Sequence, residues 1–155
     1  MVFYTILIFG LGLTILFAYK LLKTINTEIQ ANPDLSSTSK QIMTDTKESY
    51  VNLFDGIFLV VVIFLGLVIA IGAYFVYLHP VFFVPSIFIA TFIVLIAAVL
   101  GNVFHDVSTT SDLNDEREEF SYMKYIMDHI VQFVLVFTFL VIIASYAKFG
   151  AGAEP

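Results

Sequence analysis

Residues 57–78 read IFLVVVIFLGLVIAIGAYFVYL, a run without a charged side chain. A helix needs about 20 apolar residues to cross a hydrocarbon core about 30 Å thick. In lipid every backbone N–H and C=O must be satisfied inside the protein, and a helix does this with its own bonds. The run therefore predicts a transmembrane helix.

Three more runs flank it. Residues 2–19 are apolar apart from Thr5, Thr14 and the two tyrosines, Tyr4 and Tyr19. Residues 81–100 are nearly as apolar as 57–78, and 130–147 are interrupted only by Gln132 and small hydroxyl residues. No basic residue precedes the first run, so it lacks the positive n-region of a signal peptide and is expected to be a retained span. The expected fold is all-α: a single membrane domain over residues 1–155, a bundle of four transmembrane helices with amphipathic juxtamembrane helices. Composition agrees. The chain is 59% hydrophobic and 13% charged, against about 45–50% and about 25% in soluble domains.

Only His79-Pro80 separates the second run from the third. Proline suits the first turn of a helix, where its missing N–H would be unpaired anyway, and it disfavours helix at the residue before it. Spans two and three are therefore expected to form an antiparallel hairpin. Pro85 either falls in the first turns of span three or kinks it. Gly101-Asn102 is expected to end that span.

Two polar segments, residues 20–56 and 101–129, fall on one side of the membrane because two spans separate them. In the first, Leu21, Leu22, Ile25 and Ile29 continue helix beyond the lipid, and Asn32-Pro33-Asp34 stops it. A second amphipathic helix begins near Ser39 and leads into span two. In the second segment, Asp112 or Asp115 is expected to cap a helix, with Glu116, Glu118 and Glu119 at its positive end. Phe120, Met123, Met127 and Val131 share a face, and Lys124 and Asp128 form an i,i+4 pair. This helix reads as interfacial, merging into span four. The two segments hold six of the seven basic residues. Lys and Arg mark cytoplasmic loops, so both segments are expected in the cytoplasm and both termini outside it.

Intramembrane chemistry usually needs an ionisable group inside a span, and none of the four runs carries one in its interior. No catalytic residue, cofactor or metal is expected. His105-Asp106 and Asp128-His129 lie on the same side and could approach each other, whereas His79 lies on the opposite side. Such residues ordinarily gather where helices leave lipid. The acidic run 112–119 lacks the spaced oxygen ligands and central glycine of a calcium loop. The absence of cysteine removes thiol and iron–sulfur chemistry. The net charge of −6 argues against nucleic acid as a partner.

What remains is packing and docking. Gly10, Thr14 and Ala18, Gly66 and Ala70, and Ser86 and Ala90 are spaced to let helices approach closely, within the bundle or between copies. Lys40, Lys47, Asp112, Asp115, Glu116, Arg117, Glu118 and Glu119 are the candidate partner-facing residues. Three function classes fit: a structural or assembly protein contacting the bilayer and other membrane or capsid proteins, an accessory subunit of a membrane enzyme complex, and a holin-like pore protein.

Several short motifs bear on the choice. They are Leu53-Phe54-Asp55 before a span, His79-Pro80-Val81-Phe82-Phe83 between spans, Gly101-Asn102-Val103-Phe104 at the next exit, and the lead from Phe120 through Ile126-Met127 into a span ending near Lys148. In these the chain resembles small multi-span membrane proteins of icosahedral viruses with an internal lipid membrane. The likeness covers about three fifths of the chain. It implies a non-enzymatic virion component beneath a capsid, in the virion's internal membrane or the host cell membrane.

Overall fold

The structure, a computed structural model, describes residues 1–76 and 80–147. Among the described residues there are six α-helices: α1 (Val2–Ala31), α2 (Ser37–Phe75), α3 (Phe83–Ser108), α4 (Asn114–Glu119), α5 (Ser121–Asp128) and α6 (Ile130–Tyr146). α1, α2 and α3 are each long and apolar enough to cross a membrane. α5 and α6 together pass the same test, although they bend by 71° at His129. The protein is an all-α integral membrane bundle.

Local signals explain most helix ends. Ser36 caps α2 by accepting the Ser39 N–H at 3.2 Å. α1 stops at Asn32, whose side chain accepts the Asp34 N–H in a tight turn. Pro80 opens a 3-10 turn, Pro80–Phe82, and α3 proper starts at Phe83. Pro85 then occupies the first turn of α3, where it removes no intrahelical bond. His79 lies outside the described residues.

Two expectations about the spans are corrected. Gly101-Asn102 does not end span three, because α3 runs on to Ser108. Gly101 serves packing instead: a Cβ there would sit 2.8 Å from Ile130 Cγ2. Nor do α2 and α3 pack as a hairpin. Each packs on α1 and on α6, so the two stand at opposite corners of a four-helix ring. Val76 leaves α2 in extended backbone.

The ring is also staggered. The Tyr4 hydroxyl donates to the Val62 carbonyl at 2.9 Å, and the Tyr50 hydroxyl to that of Ile15 at 3.4 Å. The apolar part of α1 thus lies beside the stretch of α2 that leads into its charge-free run, not beside the whole of that run. Its last turns, with Ile15, Leu16 and Tyr19, are covered by protein rather than lipid. Tyr19 meets the Phe120 ring edge-on at 5.1 Å. Gly12 lets Phe104, Met127 and Phe58 converge on the α1 backbone.

The small-residue pairs divide accordingly. Gly66 is buried against Phe137, and Ser86 and Ala90 are half-buried on the α3 side facing α6. Ala70 is half-buried. Within the chain, the stripe of Gly10, Thr14 and Ala18 is not the face on which α1 packs. A Cβ at Gly10 would meet nothing within 4 Å, and the exposed Thr14 hydroxyl simply bonds back to the Gly10 carbonyl at 2.8 Å. The α1 face that packs is Ile8, Gly12, Ile15 and Tyr19.

Candidate functional site: the polar head

At the polar end of the ring, α4 and α5 close over the exits of α1, α2 and α3. α5 lies strongly inclined to α6, bent from it by 71°. Its buried face is Met123, Ile126 and Met127, while Tyr122 and Tyr125 face outward. Tyr125 stacks on His129 at 4.6 Å, and His129 Nδ1 donates to the Tyr125 carbonyl at 2.9 Å.

The head is organised by Asp55. Only 7% exposed, it accepts the N–H of Tyr122 at 3.0 Å and of Met123 at 2.8 Å. Those are orphan donors in the first turn of α5, whose own N-cap residue, Phe120, supplies no side-chain acceptor. A carboxylate on α2 thus caps a helix far along the chain, and the positive helix end stabilises its charge.

Two charged residues of the second polar segment fold inward, which corrects the expectation that Glu116 and Arg117 face a partner, whereas Asp112, Asp115, Glu118 and Glu119 stay exposed. Glu116 and Arg117 are 7% and 5% exposed. Arg117 pairs with Asp128 through its Nη2 and approaches Glu118 at 3.6 Å. Lys23, from α1, bridges Glu116 at 3.2 Å and Glu119 at 3.4 Å. The Tyr19 hydroxyl donates to Glu119, and Lys20 donates to the Asp112 carbonyl at 2.7 Å. Lys124 pairs with Glu118, not with Asp128 as the i,i+4 spacing predicts. Neither Asp112 nor Asp115 caps α4; its N-cap is Leu113. Asp115 remains exposed, with no ion pair among the described residues.

These pairings set the charge states of the head. Burial disfavours the Lys23 ammonium, but hydrogen bonds and attraction from Glu116 and Glu119 outweigh it and hold its pKa above the usual value. The hydrogen bond from Lys124 holds Glu118 below the usual carboxylate value.

His105 and Asp128 do come together. With Asn102 they line a groove of about 320 Å³ between α3 and the α5–α6 elbow. Among the described residues no three metal-ligating side chains gather into a metal site.

No family model matches the chain, and neither a curated protein nor a solved structure is similar to it. The head must be read from its own geometry.

The two candidate partner-facing lysines of the first polar segment, Lys40 and Lys47, behave differently from each other. Lys40 donates to the Gln30 carbonyl at 2.9 Å while the Gln30 amide donates to the Lys40 carbonyl at 2.9 Å, which clamps α1 to α2 near their connection. Lys47 is half-buried and has no ion pair among the described residues. Asp55 escaped the sequence reading because a lone carboxylate at the start of a span resembles an ordinary boundary residue.

Proposed function

We propose that this protein is a non-enzymatic structural and assembly component of a membrane, which docks a larger assembly through its polar face. The observation that carries this is the length of the first two helices. α1 and α2 contain 30 and 39 residues, about 45 and 58 Å at 1.5 Å per residue. The hydrocarbon core is about 30 Å thick, so their connected ends stand out of the bilayer as a stiff hairpin. The hairpin exposes Glu28, Asp34, Asp45 and Glu48 together with Ile25 and Ile42.

The finer reading is a virion inner-membrane component that contacts a capsid through its polar segments. Its support is the sequence resemblance. In that reading the polar segments face the cytoplasm where shells assemble, and the termini face the virion interior. Gentle detergent extraction followed by mass spectrometry of co-purifying chains tests it. Capsid proteins are expected, and they should be lost when the hairpin is shortened around residues 32–36. Redox or ATPase subunits in their place would overturn the reading in favour of an accessory subunit. Abrupt lysis of a bacterium expressing the chain would overturn it in favour of a holin-like pore.

A further inference from the structure

The groove at His105 does not end at the membrane surface. On α3 its lining residues Ala98, Asn102 and His105 continue the face of Ile87, Thr91 and Val94, at steps of three and four residues. On α6, Val131 continues the face of Leu135, Thr138 and Ile142. That deeper face lines a second groove of about 670 Å³, almost wholly apolar and open to the lipid. The two grooves follow one side of the α3–α6 seam, from the head into the hydrocarbon. Ligand sites are typically of about 300–1,000 Å³, with apolar walls and a few placed polar groups. Here the deep walls carry only the hydroxyls of Thr91, Thr138 and Tyr146, and the amide, imidazole and carboxylate groups stand at the head end.

We propose that this seam binds a glycerophospholipid with an ammonium-bearing headgroup, of the phosphatidylethanolamine class. The acyl chain lies over Ala98, Val94 and Ala90. Asp128 accepts the ammonium, and Asn102 and His105 donate to the phosphate. Charge selects this headgroup over an anionic one. Arg117 engages Asp128 Oδ1 from the buried side, which leaves the other carboxylate oxygen for a ligand. The groove lining carries Asp128 and neither lysine nor arginine, so the rim disfavours a net negative lipid. A helix of another protein is a poorer occupant, because it would place an apolar side chain against the Asn102–His105–Asp128 rim and leave those groups unpaired.

The test is native mass spectrometry of the full chain released from bilayers with equal amounts of phosphatidylethanolamine, phosphatidylcholine and phosphatidylglycerol carrying identical chains. Retention of phosphatidylethanolamine should exceed that of phosphatidylglycerol by about tenfold, the ratio one charge-assisted hydrogen bond supplies. Ala98→Phe, which fills the groove, should abolish retention of every lipid. Asn102→Ala with His105→Ala, both on exposed side chains, should weaken retention of all three lipids alike, since each carries the phosphate these residues meet, and leave the helical circular dichroism unchanged. Equal retention of the three lipids by the unaltered protein would overturn the proposal, as would undiminished retention by a folded Ala98→Phe variant.

Discussion

Asp55 Oδ1 accepts the Met123 N–H at 2.8 Å across 68 residues of chain. The bond ties the start of span two to the helix that leads into span four, and it is the point at which α5 is held on the bundle. Asp55→Ala leaves one buried donor, Met123 N–H, and one partly buried donor, Tyr122 N–H, without a partner. An unsatisfied buried donor costs about 1–3 kcal/mol, so the variant should lose about 2 kcal/mol or more. Asp55→Asn keeps one acceptor oxygen and should lose less. Limited proteolysis in detergent measures this directly: cleavage within residues 109–129 should speed up in the order wild type, Asn, Ala. Equal rates would contradict the capping role.

Arg117 and Asp128 form the most deeply placed ion pair of the head, with side-chain exposures of 6% and 29%. Removing one partner strands the other, and for a buried pair this costs about 3–5 kcal/mol. The partial exposure of Asp128 places the cost near the lower bound. Replacing both should cost less than either single change, because an apolar pair needs no desolvated charge. The comparison is Arg117→Met, Asp128→Leu and the double variant, by thermal unfolding in detergent. Strict additivity of the two losses would show that the residues act independently.

The ties between α1, α4 and α5 should fail at both ends of the pH scale. Glu118 is held below its usual value of 4.5 by the hydrogen bond from Lys124, so its contribution is present above that value and disappears as pH falls through the folded pKa. Lys23 is held above its usual value of 10.5. Its contribution is complete below that value and disappears as pH rises through the folded pKa. The thermal midpoint should therefore be level around neutrality and drop on either side. Lys23→Met should remove the alkaline drop, and Lys124→Met should shift the acid one.

The Thr138 hydroxyl is buried in α6 without a hydrogen-bond partner among the described residues. Thr138→Val replaces it with a methyl group of similar shape and should stabilise the protein by about 1 kcal/mol, since an unpaired buried hydroxyl is itself a penalty. A lower thermal midpoint for this variant would mean that the hydroxyl has a partner in the membrane.

The spans were legible because their signal is local: each is an apolar run long enough for lipid, and α1, α2, α3 and α6 all appear where such runs lie. The head was not. Glu116 and Arg117 read as surface charge in a linear view, yet Lys23 and Asp128 approach from other helices and allow them to be buried. Gly12 and Gly101 were likewise hidden. Their value lies in which ring faces them, and that depends on the stagger of α1 against α2. The i,i+4 rule failed for Lys124 because it weighs partners on one helix only, and Glu118 on the neighbouring helix reaches it first.

The same substitution should have opposite effects at two glycines. A Cβ on Gly66 would lie 2.5 Å from Phe137 Cε1 and 2.6 Å from its Cζ, inside a buried contact. Gly66→Ala must push the ring aside, and overpacking of this kind costs about 1–3 kcal/mol. Gly10 faces open space, so Gly10→Ala gains the helix preference of alanine, about 1 kcal/mol, without a clash. Phe137→Leu should recover much of the loss in the Gly66→Ala background, because it removes the atoms that collide. Thermal unfolding of the four variants in one detergent decides the matter. If Gly66→Ala is as well tolerated as Gly10→Ala, then α2 and α6 do not meet at Phe137 and the ring order of the bundle is wrong.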